Sequence, residues 1–154
     1  MKKKLAFALT LGLLMNLNTA FAQLADGNGW KVKYEAAVAE AKAAHKPILM
    51  VFAGSDWCKP CIMLRKEVWE SEQFKQYARE NLVLLELDFP RLKKNQLPAE
   101  QTRQNEELAA KYNRDGLFPL VVLTDENGNV IAKTGYKTGG PEKYIQHLKE
   151  LQKD

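Results

Sequence analysis

At 154 residues the chain is long enough for one domain with a real hydrophobic core and too short for two. Apolar residues make up 45% and charged residues 27%, a balance that shows no sign of a disordered chain or a membrane bundle. The net charge of +4 owes most to Lys2, Lys3 and Lys4. Setting these aside leaves 20 of the 23 basic residues against 19 acidic ones, a net +1. A nucleic-acid partner, which calls for cations clustered on the folded domain, is therefore not expected.

Residues 1–22 read as an export signal. The three lysines form a charged start, Leu5 to Leu17 is mostly apolar, and Ala20-Phe21-Ala22 offers small residues where a signal peptidase cuts. The apolar stretch, interrupted by Thr10 and Asn16, falls short of the roughly 20 residues that span a bilayer, so no stable membrane insertion is expected after cleavage. The mature domain, residues 23–154, is expected in the periplasm or outside the cell.

Along that domain, the Ala-rich stretch from Trp30 to His45 carries Tyr34, Ala37, Val38, Ala41 and Ala44 at helical spacing, and Pro47 stops it. Ile48 to Ala53 is a continuous apolar run, as in a strand covered on both faces. Gly54-Ser55-Asp56 allows a turn. Pro60 suits a helix only near its beginning, so the next helix starts close to Cys58 and turns Cys61, Leu64 and Val68 to one face, with Arg65, Lys66 and Glu67 largely on others. Ser71 is placed to restart the pattern before Phe74, Tyr77 and Ala78. Leu82 to Leu87 is a second strand, and Phe89 to Thr102 reads as a surface loop bearing Arg91, Lys93 and Lys94. A helix over Thr102–Asn113 follows, ended by Asp115-Gly116. Pro119–Leu123 and Asn129–Thr134 are two strands joined across an Asn-Gly turn, a strong hairpin signal. Gly140-Pro141 opens a last helix with Tyr144, Ile145, Leu148 and Leu151 inward. Strands separated by helices, closed by a hairpin, give an α/β fold in three layers: a mixed central sheet flanked by helices.

The chain's only cysteines are Cys58 and Cys61. A thiol in the first helical turn meets unpaired backbone N–H groups and the positive end of the helix dipole, which favour a thiolate. Cys58 is thus the candidate nucleophile and Cys61, one turn on, the partner that closes a disulfide. A bond between them closes a tiny loop and would be a poor structural staple. A zinc site needs about four ligands, and only His45 and His147, far away in sequence, remain as soft donors. Neither metal nor cofactor is expected.

The segment Trp57-Cys58-Lys59-Pro60-Cys61 after a buried strand, with Phe118-Pro119 entering a later one, resembles the thioredoxin superfamily. The Glu67-Val68-Trp69 phrase, followed by Phe74 and Leu82 to Asp88, is similar to its secreted bacterial thioredoxin-like branch. The resemblance implies a thioredoxin-like fold and a thiol–disulfide oxidoreductase that exchanges dithiols for disulfides. Cys58 would attack a substrate disulfide and Cys61 would resolve the mixed disulfide. Trp57, Lys59, Pro60, Phe118 and Pro119 would line the substrate site, with a cis peptide before Pro119. Proline before the second cysteine is typical of reducing members, so the expected partners are disulfide-containing proteins or small disulfides and an unidentified electron donor. The alternative is a chaperone module that holds extended polypeptides with little redox turnover. One departure stands out: Val51 occupies the position where many thioredoxins carry a buried acid, which leaves Cys61 without an evident proton acceptor. Water, Lys59, Asp56 and Glu67 are the options left open.

Overall fold

The computed structural model describes residues 29–153; the expected export signal over residues 1–22 lies outside them. Five strands form one sheet: β1 (Trp30–Lys31), β2 (Ile48–Ala53), β3 (Val83–Asp88), β4 (Leu120–Thr124) and β5 (Val130–Thr134). The helices are α1 (Tyr34–Ala44), α2 (Lys59–Leu64) running into a π-helical turn at Arg65–Trp69, α3 (Glu72–Asn81), α4 (Ala99–Tyr112) and α5 (Gly140–Leu151). The strand order is β1-β3-β2-β4-β5. β2 runs parallel to β3 and antiparallel to β4, and β5 pairs antiparallel with β4, so the expected mixed sheet is present.

β2 is central because its six residues are apolar on both faces of the pleat, and all are buried. Leu49, Val51 and Ala53 face a core shared with Leu64, Val68, Trp69, Phe74, Tyr144 and Leu148. Ile48, Met50 and Phe52 face the opposite core with Ala37, Ala41, Leu108 and Tyr112. The cysteine-bearing helix, α3 and α5 thus cover one face, while α1 and α4 cover the other. Each fully buried large apolar side chain contributes about 1.5–3 kcal/mol, so this double burial makes β2 a rigid platform for the turn that follows it.

Beyond one-residue shifts at strand ends, three stretches differ from the sequence expectation. Trp30 and Lys31 are a short parallel strand beside Leu84 and Leu85 rather than the first turn of α1, because Trp30 is buried edge-on against Trp69, their ring centroids 5.7 Å apart. α4 begins at Ala99 rather than Thr102, immediately after Pro98, whose carbonyl accepts from the Thr102 N–H. Within the expected loop, Lys93–Asn95 forms a 3₁₀ turn. The restart at Ser71 is as expected: its Oγ accepts from the Phe74 N–H at 3.2 Å, capping α3. His45 ends α1 in the left-handed conformation with φ 52°.

Candidate active site

The buried platform of β2 ends at Ala53, and Gly54 turns the chain out of the sheet. The Gly54 carbonyl accepts from the Cys58 N–H at 2.9 Å, closing a turn that brings Trp57 back over the glycine. A Cβ at position 54 would lie 2.3 Å from the Trp57 ring, so only glycine admits this approach. Cys58 is the N-cap of α2, with Pro60 in the first turn, where its missing N–H costs no helical bond.

Cys58 and Cys61 are joined as a disulfide, with their Cα atoms 5.3 Å apart. Both are largely buried, at 4% and 6% exposure. The Cys61 N–H points at Cys58 Sγ, 3.3 Å away. On reduction that N–H and the helix end favour negative charge on Cys58 rather than on Cys61. Lys59 and Pro60 are exposed at the surface beside the pair.

The Phe118–Pro119 peptide is cis, and Pro119 borders the same cavity as Cys61. Phe118 packs edge-on against Trp57, with centroids 5.3 Å apart, and against Phe89 at 5.4 Å. Trp57 also donates from Nε1 to the Phe89 carbonyl at 2.8 Å, and the Arg91 guanidinium stacks on its ring with Cζ 3.7 Å from the centroid. Of the residues expected at the site, the structure thus brings Trp57 and Phe118 into contact and puts Cys61 and Pro119 on one cavity wall, while Lys59 and Pro60 are exposed next to the pair in the chain.

The loop after β3, which its sequence marks only as surface, is tied to the residues just before Cys58. Asp56 fastens it: Oδ1 accepts from the Arg91 N–H at 2.9 Å, and Oδ2 from the Leu92 N–H at 3.0 Å and Asn95 Nδ2 at 2.9 Å. These bonds, the Arg91 N–H foremost, hold the Asp56 carboxyl below the usual carboxylate range. Asp88 fastens the other side, accepting from the Ser55 N–H at 2.8 Å and Oγ at 2.6 Å. Asp56 and Asp88 thus frame the motif.

Behind the disulfide lies a cavity of about 90 Å³, walled by Trp30, Val51, Ala53, Cys61 and Leu64, with Arg65, Lys66, Glu70 and Glu86 as charged members. The sequence expectation sets Arg65 largely off the face of Cys61. Four residues on, it instead shares that face, and its guanidinium pairs with the Glu86 carboxylate reaching down from β3. The π turn, in which the Glu70 N–H bonds the Arg65 carbonyl at 2.9 Å, follows directly. The one local signal for Glu86 is a single charge among leucines at 84, 85 and 87. Of the other candidate acceptors, Asp56 is engaged by the loop and Glu67 Oε2 accepts from the Tyr136 hydroxyl at 2.7 Å. Among the described residues no cluster of side chains has the makings of a metal site.

The comparisons with known proteins agree with this architecture. The family model for the thioredoxin-like domain matches residues 34–152. The chain is 39% identical over 120 residues to the disulfide bond reductase DsbH of Chlamydia pneumoniae, covering 78% of this chain and 70% of that protein. It is 32% identical over 142 residues to the thioredoxin-related protein DsbJ of the same organism, covering 89% of this chain but 40% of that longer protein. A solved structure of a DsbH oxidoreductase superposes with a TM-score of 0.76 at 36% identity, covering 90% of this chain and 93% of the other. With the cysteine pair at a helix start and the proline opposite, these matches place the chain in the thioredoxin-like family.

Proposed function

We propose that this protein is an exported thiol–disulfide oxidoreductase that reduces disulfides in other proteins. The observation that carries the reading is the Cys58–Cys61 disulfide at the start of α2, with the Cys61 N–H directed at Cys58 Sγ. In the reduced protein Cys58 is the thiolate that attacks a substrate disulfide, giving a mixed disulfide and releasing one substrate thiolate. Cys61 then attacks Cys58 Sγ, the second substrate thiolate leaves, and the internal disulfide re-forms. Trp57, Lys59, Pro60, Phe118 and Pro119 form the rim on which an extended substrate lies. The family relationship to a protein named as a disulfide bond reductase supports the reducing direction. Pro60 supports it as well, since it offers neither an N–H nor a protonatable ring to stabilise the reduced form. A separate donor must return two electrons per cycle. Among the described residues no helix is long and apolar enough to cross a membrane.

The test is insulin reduction in the presence of a dithiol regenerant, with wild type and Cys58→Ser compared, beside the equilibrium potential of the pair. The expected result is turnover lost in Cys58→Ser and a potential near the roughly −270 mV of reducing family members, not the about −120 mV of strong oxidants. A wild type no faster than Cys58→Ser would sink the enzyme reading and favour a polypeptide-holding module.

A further inference from the structure

Resting on that reading, we infer that Glu86, held by Arg65, is the proton acceptor for Cys61 when the mixed disulfide is resolved. The need arises because Cys61 must lose a proton before it can attack, yet it is 6% exposed and spends its own N–H on Cys58. Position 51, which faces the same cavity, is valine and can accept nothing. In the sheet register Val51 lies beside Glu86, so the carboxylate missing from β2 is supplied by the next strand at the same level. Glu86 and Cys61 wall one cavity of about 90 Å³, several times the roughly 10–15 Å³ that one water requires.

The charged groups around this cavity are few. From the turn after α2 come Arg65, paired to Glu86, and Lys66 and Glu70, both exposed. From β3, Asp88 on the same face is engaged by Ser55. β1, β2 and the chain entering β4 contribute Trp30, Val51, Ala53 and Pro119, none of them titratable. Glu86 is thus the inward carboxylate of this wall, with 15% side-chain exposure. In the step itself, the Cys61 thiol proton passes through a cavity water to Glu86. The sulfur lone pair forms the Cys61–Cys58 bond as the Cys58–substrate bond breaks, and the electron pair departs on the substrate sulfur, which takes a proton from solvent. Glu86 later returns its proton to water at the mouth. Arg65 positions the carboxylate and leaves a cation beside the forming thiolate while the proton is away.

The experiment mixes reduced protein with a disulfide peptide, quenches with acid and follows free protein and mixed disulfide by mass. In Glu86→Gln the attack by Cys58 is expected within about twofold of wild type, while resolution slows about tenfold or more at pH 7. The variant's resolution rate should then climb toward about pH 9, as for an unassisted thiol, so that the mixed disulfide accumulates at neutral pH and disappears at high pH. A resolution rate and pH profile equal to wild type would overturn the assignment. If the guanidinium left without its partner prevents folding, Arg65→Gln/Glu86→Gln removes both charges and the same two readouts decide. Wild type that forms no mixed disulfide at all would count against the oxidoreductase reading itself, whereas an active wild type with an unaffected Glu86→Gln counts against Glu86 alone.

Discussion

Replacing Gly54 by alanine tests how the motif is built. The added methyl would lie 2.3 Å from Trp57 Cε2 and 2.5 Å from Nε1, well inside van der Waals contact, while the backbone at 54 is not in the left-handed region and strains no alanine. The indole must therefore move. Moving it forfeits the 2.8 Å hydrogen bond to the Phe89 carbonyl, the edge-on contact with Phe118 and the Arg91 stack. A hydrogen bond contributes about 1 kcal/mol, an aromatic pair about 0.5–1.5 and an exposed cation–π contact about 0.5–1. The oxidised Gly54→Ala protein is accordingly expected to lose about 2–3.5 kcal/mol in urea denaturation, seen as a lower midpoint at unchanged slope. The cause is isolated by a cycle with Trp57→Ala: once the indole is gone, Gly54→Ala should cost less than about 0.5 kcal/mol. A full penalty for Gly54→Ala in the Trp57→Ala background would refute the explanation.

Ser71→Ala removes the cap of α3 and should cost about 1 kcal/mol in the same denaturation assay. Thr124 is fully buried, and among the described residues its Oγ1 is the buried side-chain polar atom without a hydrogen-bond partner. Thr124→Val should raise stability by about 1 kcal/mol, and a loss of that size would show that the hydroxyl is satisfied. Asp56 has a lowered folded-state pKa, so its stabilisation is complete above its unfolded value of about 3.9 and fades as pH falls through the folded one. Urea midpoints should put wild type ahead of Asp56→Asn at about pH 6 and bring the two together toward about pH 2; a lead that persists undiminished at the acid end contradicts the assignment.

Much of the layered fold is legible from periodicity because β2, the helical faces and the Asn-Gly hairpin each carry a strong local pattern. Trp30–Lys31 is not recognisable as a strand, since two residues hold no period and their reason for being extended is the distant Leu84–Leu85. The first turn of α4 is hidden because Ala99, Glu100 and Gln101 look like loop, yet Gln101 is buried and its amide reaches the Val32 carbonyl and Asn105. At the site, the cysteines announce themselves by spacing, and Trp57 and Pro119 through the resemblance to the thioredoxin superfamily. Glu86 does not, because its relation to Cys61 depends on the pairing of β2 with β3. Arg91 likewise has the look of a solvated cation in sequence, whereas its backbone is held by Asp56 and its side chain by Trp57.

The fastening of the loop after β3 also bears on how such a sequence can change through descent. Asp56 and Trp57 lie before the cysteines, while Phe89, Arg91, Leu92 and Asn95 lie more than thirty positions later, yet the two groups complete one another's bonds. A lineage that alters Asp56 leaves two backbone N–H groups and an amide without their acceptor, so the loop must be rewritten with it. Related chains should therefore carry these two stretches as a matched pair, and a chimera that takes the cysteine motif from one relative and the loop from another should inherit the chemistry of the first on a poorly ordered rim.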